Sequence, residues 1–121
     1  MKPEMTRDQW RAFCEQHGLV WAAQFGSTVT GRVTPSSDMD IAVWLVDGDN
    51  GSAQALTITN ALMPFVGRSD VDVVVANHAA PLLQWSIART GGLLYERESG
   101  AFRQFQLTAW KRHEDARRVH E

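Results

Sequence analysis

The run Ile41-Ala42-Val43-Trp44-Leu45-Val46 constrains the fold more than any other stretch of the chain. Six successive apolar residues leave a strand with no polar face, so both sides need cover, as in the central strand of an α/β domain. Leu19 to Phe25 is likewise short and apolar and is punctuated by Gly26, which predicts a buried strand running into a tight turn. Asp70 to Ala76 reads as a third strand and Leu93 to Tyr95 as a short edge strand. Helical periodicity fills the intervals. Thr6-Arg7-Asp8-Gln9 forms a capping box, Trp10, Phe13, Cys14 and His17 share one face, and Gly18 stops the helix. Ala53 to Val66 predicts a weaker helix whose last turn Pro64 disturbs, and Pro81 to Arg89 a helix ended by Gly91-Gly92. A terminal helix, about 99–119, carries Phe102, Phe105, Ala109, His113 and Ala116 at intervals of three or four. The expected fold class is α/β (α+β): a small mixed β-sheet with helices mainly on one face and a carboxylate cluster exposed at the other.

With 121 residues, 44% of them hydrophobic and 21% charged, the chain suits a single domain over residues 1–121 with one core. No apolar run approaches the roughly 20 residues that span a bilayer, and the polar start, Met1 to Trp10, is unlike a signal peptide. A cytoplasmic protein with no membrane contact is expected. Cys14 is the lone cysteine, which excludes an internal disulfide and a thiolate metal site. The net charge of -2 is uneven: the last 25 residues hold six basic against four acidic groups, leaving the rest acidic. An acidic body is not built to wrap nucleic acid. The Phe102, Phe105 and Trp110 stripe fits either docking of the terminal helix on a partner or packing on the chain's own sheet.

Asp38 and Asp40 lie two apart on a predicted strand, so their side chains leave one face with Cα atoms roughly 6.5 Å apart. Carboxylates so close repel, and oxygen-only donors of this kind suit Mg²⁺ or Mn²⁺, which keep waters and recruit phosphates as further ligands. Asp70 and Asp72 form a second pair of the same geometry. Were the two strands neighbours, three or four carboxylates would converge, enough for two ions about 4 Å apart. Gly26 permits close backbone approach and Ser27 adds a hydroxyl and an N–H, together able to meet phosphate oxygens. Other signals weigh less. Asp47-Gly48-Asp49-Asn50-Gly51 starts like an EF-hand but has Ile58 where a bidentate Glu is needed, and His113-Glu114 has Arg117 in place of a second His. His78 reads as structural, beside a helix start, and the five Trp residues as mainly core.

Gly26-Ser27, then Asp38-Met39-Asp40 before an apolar run, then Asp72 within Val71-Asp72-Val73-Val74, resembles the signature of the DNA polymerase beta nucleotidyltransferase superfamily. The nearest likeness is to its minimal nucleotidyltransferase (MNT) branch, whose members are antitoxin partners of HEPN toxins. It covers about residues 19–96, including Asn77 to Leu83 and Gly92 to Glu96. The resemblance implies nucleotide binding by Gly26 and Ser27, and metal binding and catalysis by Asp38, Asp40 and Asp72, with Asp70 the rival for the third carboxylate. It further implies Mg²⁺ (or Mn²⁺), ATP as substrate, and transfer of AMP to a hydroxyl, a Tyr of a cognate HEPN ribonuclease toxin, within a hetero-oligomer. One departure stands out: the family's basic residues just after Gly-Ser are replaced by Thr28-Val29-Thr30-Gly31, leaving only Arg32 nearby. Two other readings stay open, a binding-only antitoxin with a degraded site and nucleotidyl transfer to a small molecule.

Overall fold

The computed structural model describes residues 6–26, 39–47, 51–66 and 71–119. Along the chain these form α1 (Arg7–His17), β1 (Leu19–Phe25), β2 (Met39–Leu45), α2 (Gly51–Val66), β3 (Val71–Val75), a 3-10 turn (Ala76–His78), α3 (Pro81–Thr90), β4 (Gly92–Glu96) and α4 (Ala101–Val119). The sheet is mixed, in the order β3-β2-β1-β4. β1 runs antiparallel to both β2 and β4, while β2 and β3 are parallel, a pairing that needs a crossover connection, and α2 supplies it.

Local chemistry sets the element ends. The Thr6 hydroxyl accepts from the Gln9 N–H at 3.1 Å while the Gln9 amide oxygen accepts from the Thr6 N–H at 2.8 Å, completing the capping box. Gly18 closes α1 at φ 67°, left-handed backbone that glycine adopts without steric penalty. β2 ends one residue sooner than its apolar run. Val46 is 60% exposed, and its N–H bonds the Gly18 carbonyl at 2.9 Å, so the run's last residue turns out of the sheet. Ala76 likewise leaves β3 for the 3-10 turn, which the apolar pattern did not signal. There the Asn77 side chain accepts from the Leu45 N–H at 2.9 Å and donates to the Leu45 carbonyl at 2.8 Å, imitating a further strand partner. Pro64 lies inside α2, which continues to Val66.

The helices divide between the two faces of the sheet, correcting the expectation that they gather mainly on one. Trp10, Phe13 and Cys14 of α1 and Ile58 and Leu62 of α2 pack on Leu19, Ile41, Val43, Val73 and Val75. On the opposite face Ile87 and Ala88 of α3 and Phe102, Phe105 and Ala109 of α4 pack on Trp21, Ala23, Phe25 and Ala42. β1 and β2 are apolar on both sides, so either face left bare would cost about 25 cal/mol for each Å² of exposed apolar surface. The second face is an aromatic cluster: the Trp21 ring lies 4.8 Å, centroid to centroid, from both Phe102 and Phe105. The α4 stripe therefore packs on the chain's own sheet, leaving Leu107 and Trp110 exposed on the helix's other side. No described helix is long and apolar enough to cross a membrane.

Candidate active site

β2 and β3 pair in register, with Met39 opposite Val71, Asp40 opposite Asp72 and Ile41 opposite Val73. Residues opposite one another in a parallel pair share a face and sit one strand spacing apart, about 4.8 Å. Met39, Ile41, Val71 and Val73 all enter the core beneath α1 and α2, so alternation turns Asp40 and Asp72 to the other face. The two aspartates thus stand side by side at the amino ends of two parallel strands. Asp40 is half-buried and Asp72 exposed. The predicted convergence of neighbouring strands is present for this pair.

β1 delivers Gly26 to the same place, because its last residue, Phe25, is the antiparallel partner of Asp40. Gly26 has φ +83°, and a Cβ added there would lie 3.0 Å from Asp40 Oδ2. The backbone conformation favours glycine, and a side chain there would press on the Asp40 carboxylate, which would have to give by a few tenths of an ångström. The Gly26 N–H donates to Thr90 Oγ1 at 3.2 Å, and the Thr90 hydroxyl donates to the Ser86 carbonyl at 2.7 Å. The carboxyl end of α3 therefore abuts the turn. Its last carbonyls carry the negative end of the helix dipole, yet each of three has a donor: Thr90 Oγ1 on Ser86, the Gly91 N–H on Ile87, and Gln106 Nε2 on Ala88 at 3.1 Å.

Of the residues that the sequence pattern selects, Gly26, Asp40 and Asp72 come together, while Ser27, Asp38 and the rival Asp70 lie outside the described residues, as does Arg32. Among the described residues no group of three or more His, Cys, Asp or Glu side chains could hold a metal ion. Thr90 is the site residue that sequence reasoning missed; it stands 64 positions from Gly26, and a threonine ending a helix carries no motif. His78 is exposed at the end of the 3-10 turn. Cys14 is buried against the sheet's other face, and burial pushes its thiol up to about 12, which leaves it a core residue and no nucleophile. A cavity of about 320 Å³ on the carboxylate face is lined by Trp21, Trp44, Gln84, Phe105 and Arg112. Trp44 is four residues along β2 from Asp40, about 13 Å, so that cavity is separate from the aspartate pair.

The fold recurs in known proteins. A family model described as polymerase beta, nucleotidyltransferase, matches residues 9–100. The protein adenylyltransferase MntA of Aphanizomenon flos-aquae is 33% identical over 91 residues, 68% of this chain; the matched part spans 60% of that relative's length. Among solved structures, a toxin-antitoxin complex with AMP-PNP contains a chain of TM-score 0.77 and 20% identity, with 95% of this chain and 92% of that one covered. The MNT antitoxin complex with a tri-AMPylated HEPN toxin from Shewanella oneidensis gives TM-score 0.70 and 18% identity over 93% of this chain and 87% of that one. The structural likenesses carry the fold, and the family match carries the kinship. The chain belongs to the polymerase beta nucleotidyltransferase family.

Proposed function

We propose that this chain is a metal-dependent protein adenylyltransferase that transfers AMP from ATP to a tyrosine hydroxyl of a HEPN-family toxin, acting as one domain and as the antitoxin of the pair. The observation that carries the proposal is the registered Asp40–Asp72 pair set against the Gly26 turn. The donors fit Mg²⁺ or Mn²⁺: carboxylate oxygens alone, from adjacent strands, with Asp72 open to solvent where waters and phosphates complete a hard-ion shell. Asp40 and Asp72, with Asp38, would hold the ion, which supplies charge neutralisation for the triphosphate.

The chain's own residues do the rest. Thr90 already engages the Gly26 N–H, so donors to the phosphates begin at the N–H and hydroxyl of Ser27, while Gly26 lets the backbone close on the Asp40 carboxylate. The acceptor oxygen attacks the α-phosphorus in line, its bond to the pyrophosphate oxygen breaks, and pyrophosphate leaves. Asp72, the more exposed carboxylate, receives the hydroxyl proton. The partner follows from kinship: a relative bears the name protein adenylyltransferase, and a solved neighbour pairs an MNT antitoxin with an AMPylated HEPN toxin. Use of ATP as donor fits a cytoplasmic location.

Intact-mass spectrometry of a cognate HEPN toxin, incubated with this protein, Mg²⁺ and ATP, is the test. The toxin should gain the mass of one or a few adenylyl groups on tyrosine, and Asp40→Asn should abolish the gain. Inhibition of the toxin with no mass change, equally strong in Asp40→Asn, overturns the catalytic reading and leaves an antitoxin that works by contact.

A further inference from the structure

We infer that the cavity of about 320 Å³ between α4 and the sheet is a second binding site, for a small aromatic carboxylate: Trp44 and Phe105 take its flat body and the Arg112 guanidinium its charge. The site goes beyond adenylyl transfer and does not rest on it. Its floor comes from an irregularity of β1. Leu19 pairs with Leu45 and Trp21 with Trp44, so Val20 is an extra residue on its strand. Neighbours in a regular strand point to opposite faces. Here Leu19 enters the core beneath α1, while Val20 and Trp21 both pack on the α4 side. The Trp44 ring lies 6.3 Å from that of Trp21 and 5.7 Å from that of Phe105, centroid to centroid. Trp21 and Phe105 are buried in the core, whereas Trp44 is half-buried and keeps surface for a ligand.

The polar end of the cavity is built outward from a buried amide. Gln84 is 3% exposed; its Nε2 donates to the Ala76 carbonyl at 2.9 Å, and its Oε1 accepts from Arg112 Nη1 at 3.1 Å. A guanidinium has five N–H donors, and this bond uses one. A carboxylate in place of Gln84 would hold Arg112 and cancel its charge, whereas the neutral amide holds it and leaves the charge uncompensated. Among the described residues Arg112 pairs with no carboxylate, and Glu114 is engaged by Arg117 at 2.9 Å. An oriented cation at the edge of an aromatic cavity suits a ligand with one anionic group on an apolar body. A carboxylate fits better than a phosphate. The guanidinium balances one charge and forks onto two oxygens, while a phosphate dianion would bring a second charge among lining residues that hold no other cation. The volume lies at the small end of the roughly 300–1,000 Å³ of ligand sites, room for one ring and a short acid arm rather than a nucleotide.

Cinnamate, with cinnamamide as its neutral counterpart, is the probe, titrated into the full chain by calorimetry. Cinnamate should bind with a Kd below about 1 mM, and cinnamamide about tenfold more weakly. Arg112→Gln, at an exposed position, should weaken cinnamate about tenfold and leave cinnamamide within about twofold. Both Kd values come from one preparation, so their ratio is unaffected by an unfolded fraction and the variant stays decisive even if it is less stable. Thr108→Trp, which adds a bulky ring at an exposed lining position of α4, should abolish binding of both probes. In nitrogen-15 NMR the Trp44 indole N–H, assigned through Trp44→Phe, should shift with cinnamate while the Gly26 amide stays in place. Four results overturn the inference: no binding of cinnamate, equal affinity for cinnamamide, an unchanged ratio in Arg112→Gln, or displacement of cinnamate by ATP with a shift at Gly26. The last would put the ligand in the catalytic site.

Discussion

Gly26 is the residue where geometry leaves the least freedom. Gly26→Ala would place a methyl group against Asp40 Oδ2 in a backbone region costly for any L side chain, a strain of about 1–3 kcal/mol. Thermal unfolding should show a lowered Tm, and transfer should fall further than stability does, because relief of the clash must displace either Asp40 or the turn. Asp72 behaves in the opposite sense. Asp72→Asn removes one of two like charges at strand spacing, so Tm should hold or rise while AMP transfer is lost; a fall in Tm of several degrees would mean that the carboxylate has a structural partner. Cys14 offers a check on the core: with its thiol held at about 12 by burial, iodoacetamide at pH 8 should label it only after denaturation. Most of this was legible in the sequence. The Asp-x-Asp spacing and the Gly-Ser turn name their residues directly, whereas Thr90 acquires its role only through a contact 64 positions away.

At the level of elements, the strands were readable because buried β-structure writes itself as short apolar runs, and three of the four helices because caps and stripes mark their ends. α2 is the weak one: it starts at Gly51, two residues before its first good helix former, and runs past Pro64. Which face each helix covers was not readable, because a stripe says that a helix has an apolar side and nothing of where that side goes. The exits of β2 and β3 were also hidden. Val46 and Ala76 continue the apolar pattern, and only the tertiary bonds to Gly18 and from Asn77 end the strands there. α4 is integral to the second core, with Phe102 and Phe105 against Trp21. Phe105→Ala should therefore cost about 3–5 kcal/mol in denaturant unfolding, and truncation after Glu98 should leave a chain that does not fold. A truncated chain that still melts cooperatively would make α4 an appendage.

Taken whole, the molecule has, among its described residues, one histidine whose titration works against the fold. His17, at the end of α1 and 4.5 Å from the Phe13 ring, is lowered from its ordinary 6.5 by burial. The unfolded chain therefore binds the proton more readily than the folded one, so stability is full above pH 6.5 and declines as the pH falls below it. Tm measured downward from pH 7 should drop, and His17→Gln should flatten that part of the profile. The registered pairing of β2 with β3 has a consequence for how such a protein can change. Side-chain direction in a strand is binary, so a residue inserted between Asp40 and Leu45 would force a choice between keeping Ile41, Val43 and Leu45 in the core and keeping Asp40 beside Asp72. Only a local bulge, of the kind that shifts the register of β1 against its two neighbours, could absorb such an insertion. Length variation in a lineage of such chains can accumulate in the connections, where it leaves the pairing alone, whereas a codon gained or lost inside β2 or β3 turns the following side chains to the opposite face unless a bulge takes it up.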